Sequence, residues 1–298
     1  MLRDPIELYE YPKEWCNETA EALVKSGLFI LKKDGYLRRG ITTATTVSTA
    51  IVAAIASLKH DFEVVSVSTP LGIDVKVEVD AENGFAIATK FAGDHEFDVT
   101  NGIEVHAKAI GKGIVFGEGI GEINGKKAVS ESAMRQILEN FSRVCKLTDY
   151  KGGVLVEIPD GKRVAKETKN EELGIKGGIS ILGTTGFVEP WCRELVALKV
   201  EIAKRYAKIA ITTGRRAWEY AKKKYPDFQP FVFGIHLDEI LSEHGGEKII
   251  VGYRGLLKRW HFSEASAFER QSEHRLAQLD ALERSLSGGE QALGFGAG

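Results

Sequence analysis

The sequence predicts a two-domain protein: an N-terminal α+β sheet domain, then a C-terminal α/β domain built on a parallel, Rossmann-like sheet. Three observations carry this expectation. The chain has 298 residues, and at ~100–200 residues per domain two domains are expected. Strand-like runs succeed one another in the first half, with two helices to cover one face of their sheet. In the second half strands alternate with helices, the pattern of a parallel sheet with right-handed crossovers. The charged stretch from Lys162 to Glu172 places the boundary. The expected division is an α+β domain over 1–165, an α/β domain over 166–262, and a helical tail over 263–298 with a glycine-rich end.

Taken in order, the chain starts with a short helix over Asn17 to Lys25. Thr42 or Thr43 can cap a helix running through TVSTAIVAAIASLKH, because a threonine oxygen accepts an orphan N–H of the first turn. The runs FEVVSVSTP, GIDVKVEVD and GFAIATKFAG read as strands, the second with the alternation of a half-buried one. Asn83-Gly84 between the last two is a hairpin signal. Gly117, Gly119 and Gly121 make a glycine-rich loop but no dinucleotide fingerprint, since Glu122 stands where the last glycine is needed. Ser130 begins a second helix, and GGVLVEIPDG is another strand. From Gly174, four strand–loop–helix units are expected, with strands GGISILGTTG, KIAITTG, PFVFGIH and KIIVGYRG. Ser263 to Leu286 has a helical stripe, and Gly288 to Gly298 is glycine-rich.

Composition excludes several classes. Lys plus Arg number 40 against 42 Asp plus Glu, a net charge of −2, so the basic surface that non-specific nucleic-acid binding needs is not expected. The longest apolar stretch, Val47 to Leu58, is too short for a bilayer at ~20 residues. The start of the chain lacks the apolar core of a secretory signal. Cys16, Cys145 and Cys192 have no CxxC spacing and read as free thiols of a reducing compartment. A soluble cytoplasmic protein is expected, and the sequence allows a homo-oligomer.

Candidate site residues fall in three groups. Gly183, Thr184, Thr185 and Gly186, with Thr213 and Gly214, stand where open α/β sheets bind ligands, beyond the carboxyl ends of strands. Glycine there lets a ligand approach backbone donors. For any one loop taken alone a tight βα turn is the better explanation; the repetition in register points to a binding crevice. Arg38 and Arg39, just before Thr42, Thr43 and Thr45, combine guanidinium forks, a helix N-terminus and hydroxyls, a grip for carboxylate or phosphate. The alternative is two solvated arginines beside an ordinary cap. Asp94, His95, Glu96 and Asp98 crowd a short loop; a carboxylate there can act as general base or ligand anchor, or simply cap the turn. No protein-bound metal is expected.

Four segments occur in a familiar order: LRRGITTATTVSTAIVAAIASL, KFAGDHEFDVTNGI, GEGIGEINGKKAVSESAMRQIL and GGISILGTTGFVEPW. Together they resemble the CbiD family of cobalt-precorrin-5B C-1 methyltransferases, over roughly Leu37 to Trp260. Ala44 stands where that family usually has glycine, and Thr46 where it has a small residue or cysteine. The resemblance implies methyl transfer from S-adenosylmethionine to ring carbon C-1 of an anionic cobalt-corrin precursor, giving cobalt-precorrin-6A in anaerobic cobalamin biosynthesis. Cobalt then belongs to the substrate. On this reading Arg38, Arg39, Thr42, Thr43 and Thr45 line the macrocycle site. The glycine loops with Thr184, Thr185 and Thr213 hold the methyl donor, and Asp98, or else Asp94, accepts a proton or stabilises charge. The competing readings are a phosphate- or nucleotide-handling α/β enzyme and a non-catalytic tetrapyrrole carrier.

Overall fold

The computed structural model of the protein describes residues 2–252. The expected tail helix and glycine-rich end lie outside the described residues. The fold is mixed α and β. Seven α-helices fall among the described residues: α1 Glu18–Lys25, α2 Thr43–Ala56, α3 Glu131–Thr148, α4 Gly161–Ala165, α5 Arg193–Ala203, α6 Arg215–Lys224 and α7 Asp238–Glu243. The described chain forms two compact units, one of residues 22–30 and 36–191, the other of residues 2–21, 31–35 and 192–252.

The larger unit is built on six strands: β1 Phe62–Ser68, β2 Asp74–Glu82, β3 Phe85–Thr89, β4 Glu104–Ile110, β5 Ile114–Phe116 and β6 Gly153–Glu157. Their order is β1-β2-β3-β4-β6-β5. All pairings are antiparallel except β6 with β5. Asn83 and Gly84, both at positive φ (49° and 81°), close the β2–β3 hairpin as a two-residue turn, the geometry that Asn-Gly favours. Alternation sends Val75, Ala86, Ala88, Val105, Ala107, Val154 and Val156 inward and leaves Lys76, Glu78, Glu104 and Lys108 outside. Helix α2 packs on β1–β4 and β6, and α3 packs on α2. Its run of Ala, Thr, Ser, Val and Ile is buried almost throughout, as expected of a helix that is apolar or small on every side. Ser130 caps α3 by accepting the Ala133 N–H at 3.3 Å.

The smaller unit carries three strands, β7 Lys208–Thr212, β8 Gln229–Val232 and β9 Glu247–Val251, in the order β8-β7-β9 and all parallel. Helix α6 packs on all three strands. The amino-terminal residues join this unit through a buried ion pair. The Glu7 carboxylate accepts from Lys199 Nζ at 2.5 Å and from the Val232 N–H at 2.8 Å.

Three expectations need correction. Residues 166–191 group with the first sheet, and residues 2–21 and 31–35 with the second, so the last change of unit falls at 191/192 and the first unit does not span 1–165. The reason is long-range pairing: Gly178–Ile179 runs parallel to Gly119–Ile120, and Phe187–Val188 antiparallel to Gly40–Ile41. GGISILGTTG is therefore no strand of the parallel sheet, which has three strands among the described residues instead of four. Finally, β4 and β5 lie where no strand was expected, and the glycine-rich stretch after them carries three short strands. At Gly119 (φ 73°) an added Cβ would lie 1.7 Å from the Ile158 carbonyl oxygen, so close backbone packing explains that glycine.

Candidate functional site

The pairing of Gly40–Ile41 with Phe187–Val188 lays the loop before Phe187 across the start of α2. Thr42 is the cap, its side chain accepting the Thr45 N–H at 3.3 Å. The Thr42 N–H donates to the Gly186 carbonyl (3.1 Å) and the Ala44 N–H to the Leu182 carbonyl (3.1 Å). The Thr43 hydroxyl donates to the Leu182 carbonyl (3.1 Å) and accepts its N–H (2.8 Å), while the Thr45 hydroxyl donates to the Gly186 carbonyl at 2.8 Å. Behind them, Gln136 Nε2 donates to Thr45 Oγ1 (3.1 Å) and to the Ser68 carbonyl (3.2 Å). Asn140 exchanges two 2.8 Å bonds with the Ser68 backbone. Gln136 Oε1 is a buried acceptor with no partner among the described residues.

The structure therefore brings Thr42, Thr43 and Thr45 together with Gly183, Thr184, Thr185 and Gly186, two groups that the sequence reading assigned to different domains. It also changes what they can do. The N–H groups of Thr42, Ala44 and Thr45 are consumed by the protein itself, so this helix start is not an open anion cradle. A Cβ on Gly183 would meet Thr42 Oγ1 at 2.6 Å, and one on Gly186 (φ 90°) would meet Thr69 at 2.6 Å. Their smallness serves chain packing. Thr184 is exposed, whereas Thr45 is fully buried. Thr213 and Gly214 lie in the smaller unit, after β7 and before α6. No described atom lies within 4 Å of a Cβ built on Gly214.

Arg38 and Arg39 part company. Arg39 is 0% exposed; its Nε donates to Glu189 Oε1 at 2.7 Å and its Nη1 to the Gly27 carbonyl at 3.2 Å. Arg38 is exposed, its guanidinium 4.0 Å above the Phe91 ring, and it makes no ion pair among the described residues. Consecutive residues of an extended chain face opposite ways, so one arginine enters the core and the other reaches solvent.

The Asp94–Asp98 loop is clamped onto the Arg38–Gly40 backbone. The Asp94 N–H donates to the Arg38 carbonyl at 2.8 Å, and Asp94 Oδ2 accepts the Arg38 N–H at 2.7 Å. A Cβ on Gly93 (φ 66°) would fall 2.1 Å from the Arg38 carbonyl oxygen, so only glycine permits this approach. Asp98 Oδ1 accepts from the Thr100 N–H (2.9 Å) and hydroxyl; Oδ2 pairs with Lys90, which is 3% exposed. Burial pushes the Asp98 carboxyl up, but the Lys90 charge and the Thr100 bonds outweigh it and hold the carboxyl below the usual carboxylate range. Burial draws the Lys90 ammonium down, and Asp98 opposes it. Asp98 thus caps a turn and neutralises a buried lysine, and a carboxylate so held is a weak base. His95 Nδ1 accepts the Phe97 N–H at 3.0 Å, and burial lowers the imidazole below its ordinary value. Among the described residues no group of three His, Cys, Asp or Glu side chains is placed to hold a metal ion. A cavity of about 570 Å³, walled by Leu8, Trp218 and Phe228, opens at the amino ends of β7 and β8 and contains none of these residues.

Lys90, Glu189, Gln136 and Phe97 were not singled out in the sequence. The first two could have been sought as counter-charges for Asp98 and Arg39, but they lie 8 and 150 residues away from them.

The segments that build this constellation coincide with a known family. The CbiD profile matches residues 30–190. A protein of Archaeoglobus fulgidus named cobalt-precorrin-5B C(1)-methyltransferase is 62% identical over 92% of this chain and 92% of its own. The chain belongs to the CbiD family. A Methanococcoides burtonii protein of the same name is 37% identical over 86% of this chain and 81% of its own. A crystal structure of the cobalamin biosynthesis protein CbiD from Archaeoglobus fulgidus superposes with a TM-score of 0.87 at 61% identity, covering 92% of this chain and 97% of the other. The CbiD match spans Arg38–Thr45, Asp94–Asp98 and Gly183–Gly186; Thr213 and Gly214 lie beyond it. No described helix is long and apolar enough to cross a membrane.

Proposed function

We infer that this chain methylates cobalt-precorrin-5B at C-1, with S-adenosylmethionine as the donor. The observation that carries the reading is the 62% identity, over 92% of both chains, to a protein of that name. Transfer of a methyl group from a sulfonium to a ring carbon is a displacement. The carbon forms the new bond as the sulfur–methyl bond breaks, and the donor leaves as its neutral thioether. No protein nucleophile is required. The protein's work is to align the reactants and exclude water, which is worth ~7–11 kcal/mol of the barrier in well-oriented systems.

Exposure and hydrogen bonding support the following division of roles. Arg38 is the exposed cation for a macrocycle carboxylate, and Arg39 holds the scaffold beneath it. Thr184 is the hydroxyl of the 183–186 loop that faces solvent; Thr42, Thr43 and Thr45 position that loop. The donor is assigned to Thr213 and Gly214, between β7 and α6. Asp94, exposed beside Arg38, is better placed than Asp98 to stabilise charge arising on the ring, because Asp98 is engaged with Lys90 and Thr100. We place the enzyme in the cytoplasm, in keeping with its chemistry. Calorimetric titration with S-adenosylhomocysteine tests the reading. Saturable binding without magnesium is expected; binding of a cobalt corrin with no affinity for S-adenosylhomocysteine would favour the carrier.

A further inference from the structure

Phe97 is exposed to 76%, in the middle of the clamped loop. Isolated exposed apolar side chains are common and need no explanation. This one differs in how firmly it is presented. Its own N–H is held by His95 Nδ1 at 3.0 Å. The next residue, Asp98, is tied to buried Lys90 and to the Thr100 N–H. The loop ends are fastened by the Ala92 N–H donating to Asn101 Oδ1 (3.0 Å) and by the Asp94–Arg38 backbone pair. A buried ion pair spent on a surface loop fixes the segment that carries an uncovered ring. Val99, also on this loop, is 44% exposed. At the start of the same loop the Arg38 backbone pairs with Asp94; its guanidinium, a cation without an ion-pair partner among the described residues, lies over the Phe91 ring. Asp94 and Glu96 are exposed there too, so net charge alone would not draw an anionic ligand. The ring must supply much of the contact.

We propose that Phe97 is a platform for the apolar face of the tetrapyrrole ring, with Arg38 engaging one peripheral carboxylate. This rests on the reading that the substrate is a cobalt corrin. The chemistry matches: a ligand with broad apolar faces and a rim of carboxylates meets an exposed ring on a loop whose start is fastened to the backbone of an exposed arginine. Ordering of the loop is completed during folding, so binding does not incur that cost again. Phe97 touches the substrate face and takes no part in bond making, so its removal weakens substrate binding and leaves donor binding alone.

The test uses the full chain and cobyrinic acid, a cobalt corrin with free peripheral carboxylates, followed by its absorbance. Phe97→Ala is expected to weaken its binding about tenfold, and Phe97→Tyr, which keeps the ring, to stay near the parent. Both are expected to bind S-adenosylhomocysteine and to unfold as the parent does, since the side chain is exposed. Parent-like binding of cobyrinic acid by Phe97→Ala overturns the platform and leaves the functional reading intact. A parent that binds no cobyrinic acid overturns both. If sedimentation shows the parent to self-associate and Phe97→Ala to be monomeric, the ring joins two copies of the chain and the platform is overturned.

Discussion

Asp98→Asn separates a catalytic carboxylate from a positioning one. The substitution keeps an oxygen for the Thr100 N–H but removes the negative charge from Lys90, which is 3% exposed. Breaking a buried pair by removing one partner costs ~3–5 kcal/mol, mostly because the other charge is left uncompensated. Asp98 keeps 13% exposure, so water can replace part of the loss and ~2–4 kcal/mol is the expected local cost. Urea unfolding, with amide exchange at Thr100 and Asn101 for the loop itself, measures it. The decisive variant is the double one, Lys90→Met with Asp98→Asn, which deletes both charges and keeps the turn-capping oxygen. If Asp98 acts by position, the double variant recovers loop protection and most of the methylation that Asp98→Asn loses. If Asp98 accepts the proton, the double variant is stable and still slow, by roughly two orders of magnitude or more. That second outcome would refute the positioning argument.

Three further outcomes follow from the geometry. Arg39→Ala removes a fully buried guanidinium from its pair with Glu189 and should cost ~3 kcal/mol or more of stability, whereas Arg38→Ala should leave the unfolding free energy within ~0.5 kcal/mol of the parent and raise the KM for the corrin, read from denaturant curves and steady-state kinetics. The His95 imidazole is lowered from its ordinary value, chiefly by burial, with Lys90 adding and Asp98 and Glu96 opposing; the folded chain thus binds fewer protons than the unfolded one, its contribution is complete above the unfolded value of ~6.5, and it is lost as pH falls toward the lowered folded value, where His95→Gln should show a flatter stability profile. Gly186→Ala, at φ 90° with Thr69 in the way, should destabilise by ~1–3 kcal/mol, whereas Gly214→Ala should fold normally and, if the donor lies there, bind S-adenosylhomocysteine more weakly by calorimetry.

How much of this was legible beforehand depended on the range of the interactions. Local signals were sound: Thr42 and Ser130 cap helices, Asn83-Gly84 turns a hairpin, and the runs from Lys208 onward form parallel strands, because caps, turns and periodicity are written within a few residues. The two-residue strands at Gly178–Ile179 and Phe187–Val188 have no period to read. Their partners lie well over a hundred residues away in one case, so the unit boundary was misplaced. The glycines of the GlyThrThrGly loop accommodate Thr42 and Thr69, a contact that only the tertiary fold reveals. Arg38 and Arg39 were treated as a pair. No strand was expected there, so the alternation that separates them, and which one meets Glu189, came only with the fold.

The central claim, methyl transfer to a cobalt corrin, is tested most directly by incubating the purified chain with cobalt-precorrin-5B and S-adenosylmethionine carrying a ¹³C-labelled methyl group. The account predicts that one labelled methyl group appears at C-1, with S-adenosylhomocysteine formed in equal amount. Bound corrin recovered unlabelled, with no S-adenosylhomocysteine released, would contradict it.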